Sequence, residues 1–201
     1  SAIVEGSMIE NVSDDPDTRA DYSWVQPGGT AWSWIAESAM GQREAQHDPD
    51  IIKEYIDLAY EMGWKYFIMD EGWQPPAASG SGYEGYYDWF DEIVDYADER
   101  GIGLIAWVLA DDLDTPEKRA ARLDDWAAKG IKGIKVDFFD RESQERLELQ
   151  ETIYEYCADL EMVVIAHGTN KPTGEVRTNP NVLTREAIRG REYGGMSVEQ
   201  Y

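Results

Sequence analysis

The sequence predicts an α/β fold, a partial (β/α)8 TIM barrel in which about six βα units are legible. Three observations carry this. Short apolar segments alternate with helix-length segments along most of the chain. Successive strand starts fall 20 to 40 residues apart, the spacing of βα units. Chemistry-bearing residues collect at the C-terminal ends of the apolar segments, where a barrel presents its active face. Strands that each lead into an amphipathic helix imply parallel neighbours joined by right-handed crossovers. A doubly wound sheet is the alternative, but no Gly-rich phosphate loop follows the first strand.

Residues 1–29 are polar, with the run Ser13-Asp14-Asp15-Pro16-Asp17 and the turn Pro27-Gly28-Gly29, and read as a connector into the domain. Strands are expected at 30–34, 65–70, 102–108, 131–138, 162–166 and 182–185. The first helix, about 49–62, starts at Asp48-Pro49 and places Ile52, Tyr55, Ile56 and Ala59 on one face. The second, about 87–100, repeats the pattern with Phe90, Ile93, Val94 and Ala97. A third begins at Thr115-Pro116-Glu117, a cap followed by proline, and ends before Gly130. The fourth covers about 141–159 and puts Cys157 on a face with Leu149 and Ile153. A closed barrel needs eight strands, so residues 30–201 are expected to be an incomplete one. Alone, such a chain is expected to be poorly soluble, oligomeric or marginally folded, because its first and last strands expose unpaired edges.

Composition bounds the partners. Forty-one acidic residues against 18 basic ones give a formal net charge of −23. Nucleic acid and anionic membrane are poor partners for such a surface, since phosphate binding needs a basic face. No apolar run approaches a membrane span, and nothing resembles a signal peptide. Arg exceeds Lys, 11 to 7. An acidic, Lys-poor surface suits concentrated salt, where counter-ions screen self-repulsion, so a halophilic source is one expectation and an ordinary acidic protein the other. Eight Trp and 12 Tyr suit the apolar faces of sugar rings as well as they suit a large core. Cys157 is the sole cysteine, so no intrachain disulfide forms, and it reads as a small buried apolar residue.

Four clusters carry chemistry. In Gly133-Ile134-Lys135-Val136-Asp137-Phe138, Asp137 ends an apolar strand and Lys135 shares its face by the period-two rule. A cation beside a carboxylate favours the ionised form that a nucleophile needs, although Lys-x-Asp in isolation is more often a structural ion pair. Met69-Asp70-Glu71-Gly72-Trp73 ends the second strand; only one of its two acids should face the pocket, and Trp73 is expected to floor a sugar subsite or to be structural. His167-Gly168-Thr169-Asn170-Lys171 follows the fifth strand, where His167 can serve a sugar hydroxyl or be structural. Neither His has a Cys or second His at metal-ligand spacing, so zinc is not expected. Finally, Glu186 and Glu192 are interleaved with Arg185, Arg189 and Arg191, which fits either a solvated charge run or hard oxygen ligands for calcium.

Taken in order, Ala31-Trp32-Ser33-Trp34, Asp70-Glu71-Gly72-Trp73, Lys135-Val136-Asp137-Phe138, His167-Gly168, Lys171-Pro172-Thr173-Gly174, Asn181-Val182-Leu183-Thr184-Arg185-Glu186 and Arg189-Gly190-Arg191-Glu192-Tyr193 resemble glycoside hydrolase family 97. The resemblance runs from about residue 24 to 193. It implies an exo-acting α-glucosidase or α-galactosidase with an N-terminal β-sandwich, a (β/α)8 barrel and a small C-terminal β-domain. The terminal domains would be missing partners of this chain. It implies an active-site calcium with Glu186 and Glu192 among its ligands, and Trp34, Asp70, Glu71, Trp73, Lys135, His167 and Lys171 as substrate-binding residues. It also separates two mechanisms. Inverting members use glutamate bases, one placed after the His of the fifth strand, where this chain has Gly168. Retaining members carry an aspartate nucleophile after the fourth strand, where this chain has Asp137. The resemblance therefore implies a retaining α-galactosidase with Asp137 as nucleophile and Glu192 as acid/base. The alternatives are an inverting α-glucosidase of the same family and a carbohydrate-binding barrel segment without turnover.

Overall fold

A computed structural model describes residues 21–34, 45–80, 82–172 and 174–187. Six parallel strands pair in strictly sequential order: β1 (Thr30–Trp32), β2 (Tyr66–Met69), β3 (Gly103–Leu109), β4 (Gly133–Asp137), β5 (Val163–Ala166) and β6 (Val182–Arg185). Sequential order rules out a doubly wound sheet, whose strand order reverses, and gives the curled half of a (β/α)8 barrel. The expected strands are all found, with ends that differ by no more than two residues: most are trimmed, β3 runs one residue further, to Leu109, and β6 keeps its expected bounds.

The helices follow the capping chemistry. α1 (Pro49–Glu61) has Asp48 as N-cap, its carboxylate accepting from the amides of Asp50 at 3.0 Å and Ile51 at 3.4 Å. α2 (Phe90–Asp98) starts later than 87 and buries Phe90, Ile93 and Ala97. The third expected helix is one continuous rod in three pieces. α3 (Pro116–Arg119) is capped by Thr115, a wider π-helical segment covers Ala120–Asp124, and α4 (Asp125–Ala128) follows. α5 (Gln144–Asp159) starts behind its Ser143 cap rather than at 141. A short helix, α6 (Glu175–Thr178), and a 3₁₀ turn at Ala110–Leu113 add to the pattern.

Strand parity divides the side chains between two clusters. Phe67, Met69, Leu104, Ala106, Val108, Ile134, Val136, Val164 and Ala166 face the helices and form the larger one with Ile52, Ile56, Phe90 and Trp126. Tyr66, Ile68, Ile105, Val163 and Ile165 face the barrel interior, packed with Trp24, Trp32 and Leu183. Glycines make room for large neighbours inside the barrel. A Cβ at Gly103 would meet the Tyr66 ring at 2.8 Å, and one at Gly133 would meet Val163 at 2.5 Å. The lower barrel is thus filled by Tyr66 against Gly103 and Val163 against Gly133, each pair in register, and the polar layer sits above. The expected connector begins to be described at Asp21. Its Gln26 carbonyl accepts the Tyr66 hydroxyl at 2.8 Å, which ties the segment to the barrel floor. Cys157 is fully buried as expected, and burial pushes its thiol well above the ordinary range. Among the described residues no helix is long and apolar enough to cross a membrane.

Trp73 corrects an expectation. It is 2% exposed and lies in the helix-facing core, edge-on to Trp126 at 5.1 Å and tilted against Phe90 at 5.7 Å. The chain turns immediately after β2, with the Trp73 amide bonded to the Asp70 carbonyl at 3.1 Å, and the indole swings outward, away from the barrel mouth. It has no face open to a sugar. Its Nε1 donates to the Trp107 carbonyl at 2.9 Å, so it anchors the end of β3. Trp73→Phe is therefore expected to cost about 1–3 kcal/mol through lost volume and an orphaned carbonyl. Denaturant melts would read that loss, and KM for substrate should stay unchanged; a raised KM without lost stability would restore a sugar-binding role.

Candidate active site

The upper barrel layer collects acids, one lysine, one histidine and two indoles at the C-terminal ends of the strands. Lys135 points inward from β4 and is 3% exposed. Its Nζ lies 2.6 Å from Asp70 Oδ2 and 3.8 Å from Asp137 Oδ2. The lysine therefore bridges two carboxylates and lies closer to Asp70 than to Asp137, the acid sharing its strand. The Trp32 indole N–H also donates to Asp70 Oδ2, and the Lys135 ammonium stands 4.7 Å above the Trp32 ring. Asp70 is 2% exposed, and its Oδ1 accepts from the Glu71 amide at 2.8 Å. Asp70 alone of the adjacent acids enters this cluster. Glu71 turns to the loop after β2, where it accepts the Tyr83 hydroxyl at 3.1 Å.

Asp137 ends β4 with 8% exposure. Its Oδ1 accepts from the Phe138 amide at 2.9 Å, and its Oδ2 accepts from Trp107 Nε1 at 3.2 Å. The next residue, Phe138, sits at φ 60° and is half exposed. A left-handed aromatic residue costs about 1–2 kcal/mol, and such strain clusters where a chain must turn at a functional group. Gly168, at φ +53°, packs directly against this turn. A Cβ there would lie 3.0 Å from the Phe138 nitrogen and 3.1 Å from Asp137 Oδ1. The Phe139 amide bonds the Gly168 carbonyl at 3.1 Å, which locks the two loops together. A side chain at 168 and a carboxylate in this place at 137 crowd each other out.

His167 ends β5 beside them. Its Nδ1 is 3.3 Å from Glu186 Oε2 and 3.9 Å from Asp137 Oδ2, and its ring meets Trp32 edge-on at 6.1 Å. Burial and then the Lys135 charge lower its pKa to about 4, against the opposing pull of the Asp137 and Asp70 carboxylates. The imidazole is therefore neutral at ordinary pH, a hydrogen-bonding group rather than a cation. Arg185 braces the loop that follows, donating to the Asn170 carbonyl at 3.1 Å and to the Tyr154 hydroxyl at 3.0 Å.

Of the residues singled out in the sequence, Asp70, Lys135, Asp137, His167 and Glu186 are brought together. Trp34 is partly buried two residues past β1, and it is Trp32 whose ring joins the cluster. Lys171 stands exposed on the loop after β5, its carbonyl accepting from Asn170 at 3.1 Å. Glu192 lies outside the described residues. Among the described residues no group of three or more His, Cys, Asp or Glu could hold a metal ion. Glu186 offers a hard oxygen donor at the mouth, which suits calcium only with further donors beside it. Two residues of the cluster have no role assigned from the sequence: Trp32, present in the quoted Ala31-Trp32-Ser33-Trp34 motif, and Trp107. Trp107 shares parity with Ile105 and pairs in register with Lys135, but the register between parallel strands is not written in either strand.

A parallel barrel carrying buried carboxylates at the C-terminal ends of its strands is the frame of a barrel enzyme. The chain belongs to glycoside hydrolase family 97, whose model matches residues 31–188. A probable retaining alpha-galactosidase of Streptomyces bingchenggensis (strain BCW-1) is 37% identical over 203 residues, covering 96% of this chain and 30% of the relative. The retaining alpha-galactosidase of Bacteroides thetaiotaomicron is 34% identical over 191 residues, covering 92% of this chain and 28% of the relative. The chain thus spans less than a third of the length of these curated relatives. Among solved structures, a beta-arabinopyranosidase superposes with a TM-score of 0.77 at 28% identity, covering 94% of this chain and 30% of that one. A glycoside hydrolase family 97 enzyme from Pseudoalteromonas sp. strain K8, in complex with acarbose, superposes with a TM-score of 0.76 at 20% identity and shares the fold; the match covers 94% of this chain and 33% of that one.

Proposed function

We propose that the full-length protein is an exo-acting retaining α-galactosidase, working by double displacement with Asp137 as nucleophile and Glu192 as acid/base. The observation that carries the retaining mechanism is the contact between Asp137 and Gly168. Even a Cβ at position 168 would crowd the aspartate and its turn, at 3.0–3.2 Å and a left-handed φ of +53°, which speaks against the inverting alternative. The galactose preference is supported by the two retaining alpha-galactosidases at 34% and 37% identity. Asp137 attacks the anomeric carbon while Glu192 protonates the leaving oxygen, and the two carboxyls must come within about 5–5.5 Å for this chemistry. Lys135 holds the charge of the neighbouring carboxylates, and neutral His167 is placed to hydrogen-bond a sugar hydroxyl. The Asp70–Lys135–Trp32 group offers a fixed acid, cation and indole at the same level. Calcium would be held by Glu186 and Glu192 with donors from elsewhere in the full protein, and would supply a positive charge that orients the acid and a substrate hydroxyl.

The test is the stereochemistry of the first product. NMR of the full-length enzyme acting on an aryl α-galactopyranoside should show α-galactose first, with the aryl α-glucopyranoside cleaved far more slowly and chelation of calcium lowering the rate. Initial release of the β anomer would establish an inverting enzyme instead. The beta-arabinopyranosidase neighbour makes the aryl β-L-arabinopyranoside a necessary comparison, because a pentopyranose lacks the C6 hydroxymethyl group of galactose.

The surface charge is proposed to reflect a salt-rich setting. With a formal net charge of −23 on these 201 residues, screening should raise the melting temperature of the full-length protein between dilute and molar potassium chloride. A flat or falling melting temperature would leave an ordinary acidic enzyme.

A further inference from the structure

The two oxygens of Asp137 are held in different ways. Oδ1 is turned into the backbone, bonded by the Phe138 amide at 2.9 Å and 3.1 Å from where a Cβ on Gly168 would stand. Oδ2 faces the barrel interior, 3.8 Å from Lys135 Nζ and 3.9 Å from His167 Nδ1. Its hydrogen bond, at 3.2 Å, comes from Trp107 Nε1. Trp107 is 5% exposed and is braced from two sides. The Tyr83 ring stands edge-on to it at 6.1 Å and 88°, while its own carbonyl accepts Trp73 Nε1 at 2.9 Å. Tyr83 is in turn tied to Glu71 through its hydroxyl. An indole N–H only donates and does not titrate, so this is a permanent donor aimed at the inward oxygen.

We propose that Trp107 is a positioning residue that holds Asp137 as a leaving group in the second half of the double displacement; this rests on the reading of Asp137 as nucleophile. In that step a water oxygen bonds to the anomeric carbon and the ester bond to Asp137 breaks. The bonding pair returns to the carboxylate, and the proton of the water passes to the acid/base carboxylate. A hydrogen bond strengthens as its acceptor becomes ionised. The Trp107 donor is therefore worth more in this transition state than in the glycosyl ester before it, which is what accelerates a step. In the first step Asp137 gives up charge and the same bond weakens, so there its electrostatic effect opposes the step and is offset by the orientation it imposes.

The experiment is Trp107→Phe in the full-length enzyme, followed by stopped flow with p-nitrophenyl α-galactopyranoside. The expected trace is a burst of one p-nitrophenolate per active site, then a steady rate lower by about ten- to a hundredfold. KM should fall with kcat as the glycosyl-enzyme accumulates, leaving kcat/KM within about threefold of the parent. Loss of kcat/KM as large as the loss of kcat, without a burst, overturns the proposal. Tyr83→Ala gives a second reading that leaves β3 intact. It should show a weaker form of the same signature, and an unchanged kcat and KM there would count against Trp107 even if Trp107→Phe does not fold. Trapping the wild-type enzyme with 5-fluoro-galactosyl fluoride and mapping the labelled peptide separates the two levels of inference. A label on another residue removes the nucleophile reading and this proposal with it. A label on Asp137 with no burst in either variant removes the Trp107 role alone.

Discussion

Replacing Asp137 by glycine in the full-length enzyme is expected to lower turnover by about four orders of magnitude or more, since removing a covalent nucleophile costs as much as dismantling the whole constellation around it. Asp137 is the inward-facing carboxylate at the end of β4, and Trp107, Lys135 and the Phe138 amide all converge on its two oxygens. The substitution leaves an opening in a layer otherwise filled, beside a glycine that adds no bulk of its own. Azide fits such an opening and can attack the anomeric carbon in place of the carboxylate. With an activated aryl α-galactoside, added azide should restore turnover and yield the β-galactosyl azide, of inverted configuration. Two results would count against the assignment: residual activity within tenfold of the parent, or an azide product that retains the α configuration.

The strands were legible because apolar runs of four to seven residues sit between strong helix signals, and β2 through β5 each repeat that pattern. Parity then placed Lys135 beside Asp137 and, at the mouth, separated Asp70 from Glu71. Trp73 keeps the parity of Phe67 and Met69, and past the tight turn at Glu71-Gly72 it packs in the helix layer as they do. What parity cannot supply is where a strand stops. Nor can one strand announce its neighbour's register. Trp107 reads as one more apolar residue of β3 until the pairing with Lys135 lifts its ring to the level of Asp137. Trp32 is hidden for the same reason, since its partner Asp70 lies 38 residues away on another strand. The role of Gly168 is of a third kind. The resemblance marks it as a replaced base, and the physical reason for a glycine appears only when the loops after β4 and β5 are seen to touch.

Lys135→Met is expected to be the most destabilising single change in the site, at about 3–5 kcal/mol, because it strands buried carboxylate charge instead of merely removing a contact. Asp70 is 2% exposed and Asp137 8%, and the lysine Nζ is placed between them at 2.6 and 3.8 Å. Methionine keeps most of the stem's volume, so the loss reports the charge and not a cavity. Trp32 still donates to Asp70 and Trp107 to Asp137, but neutral donors do not cancel two negative charges in a closed layer. Adding Asp70→Asn to Lys135→Met should recover part of the loss at neutral pH, since one of the stranded charges is then gone. Denaturant midpoints of the barrel's unfolding transition at pH 7 measure both effects. Equal midpoints for the parent and Lys135→Met at pH 7 would mean that the two acids are held apart, or neutralised, by something other than this lysine.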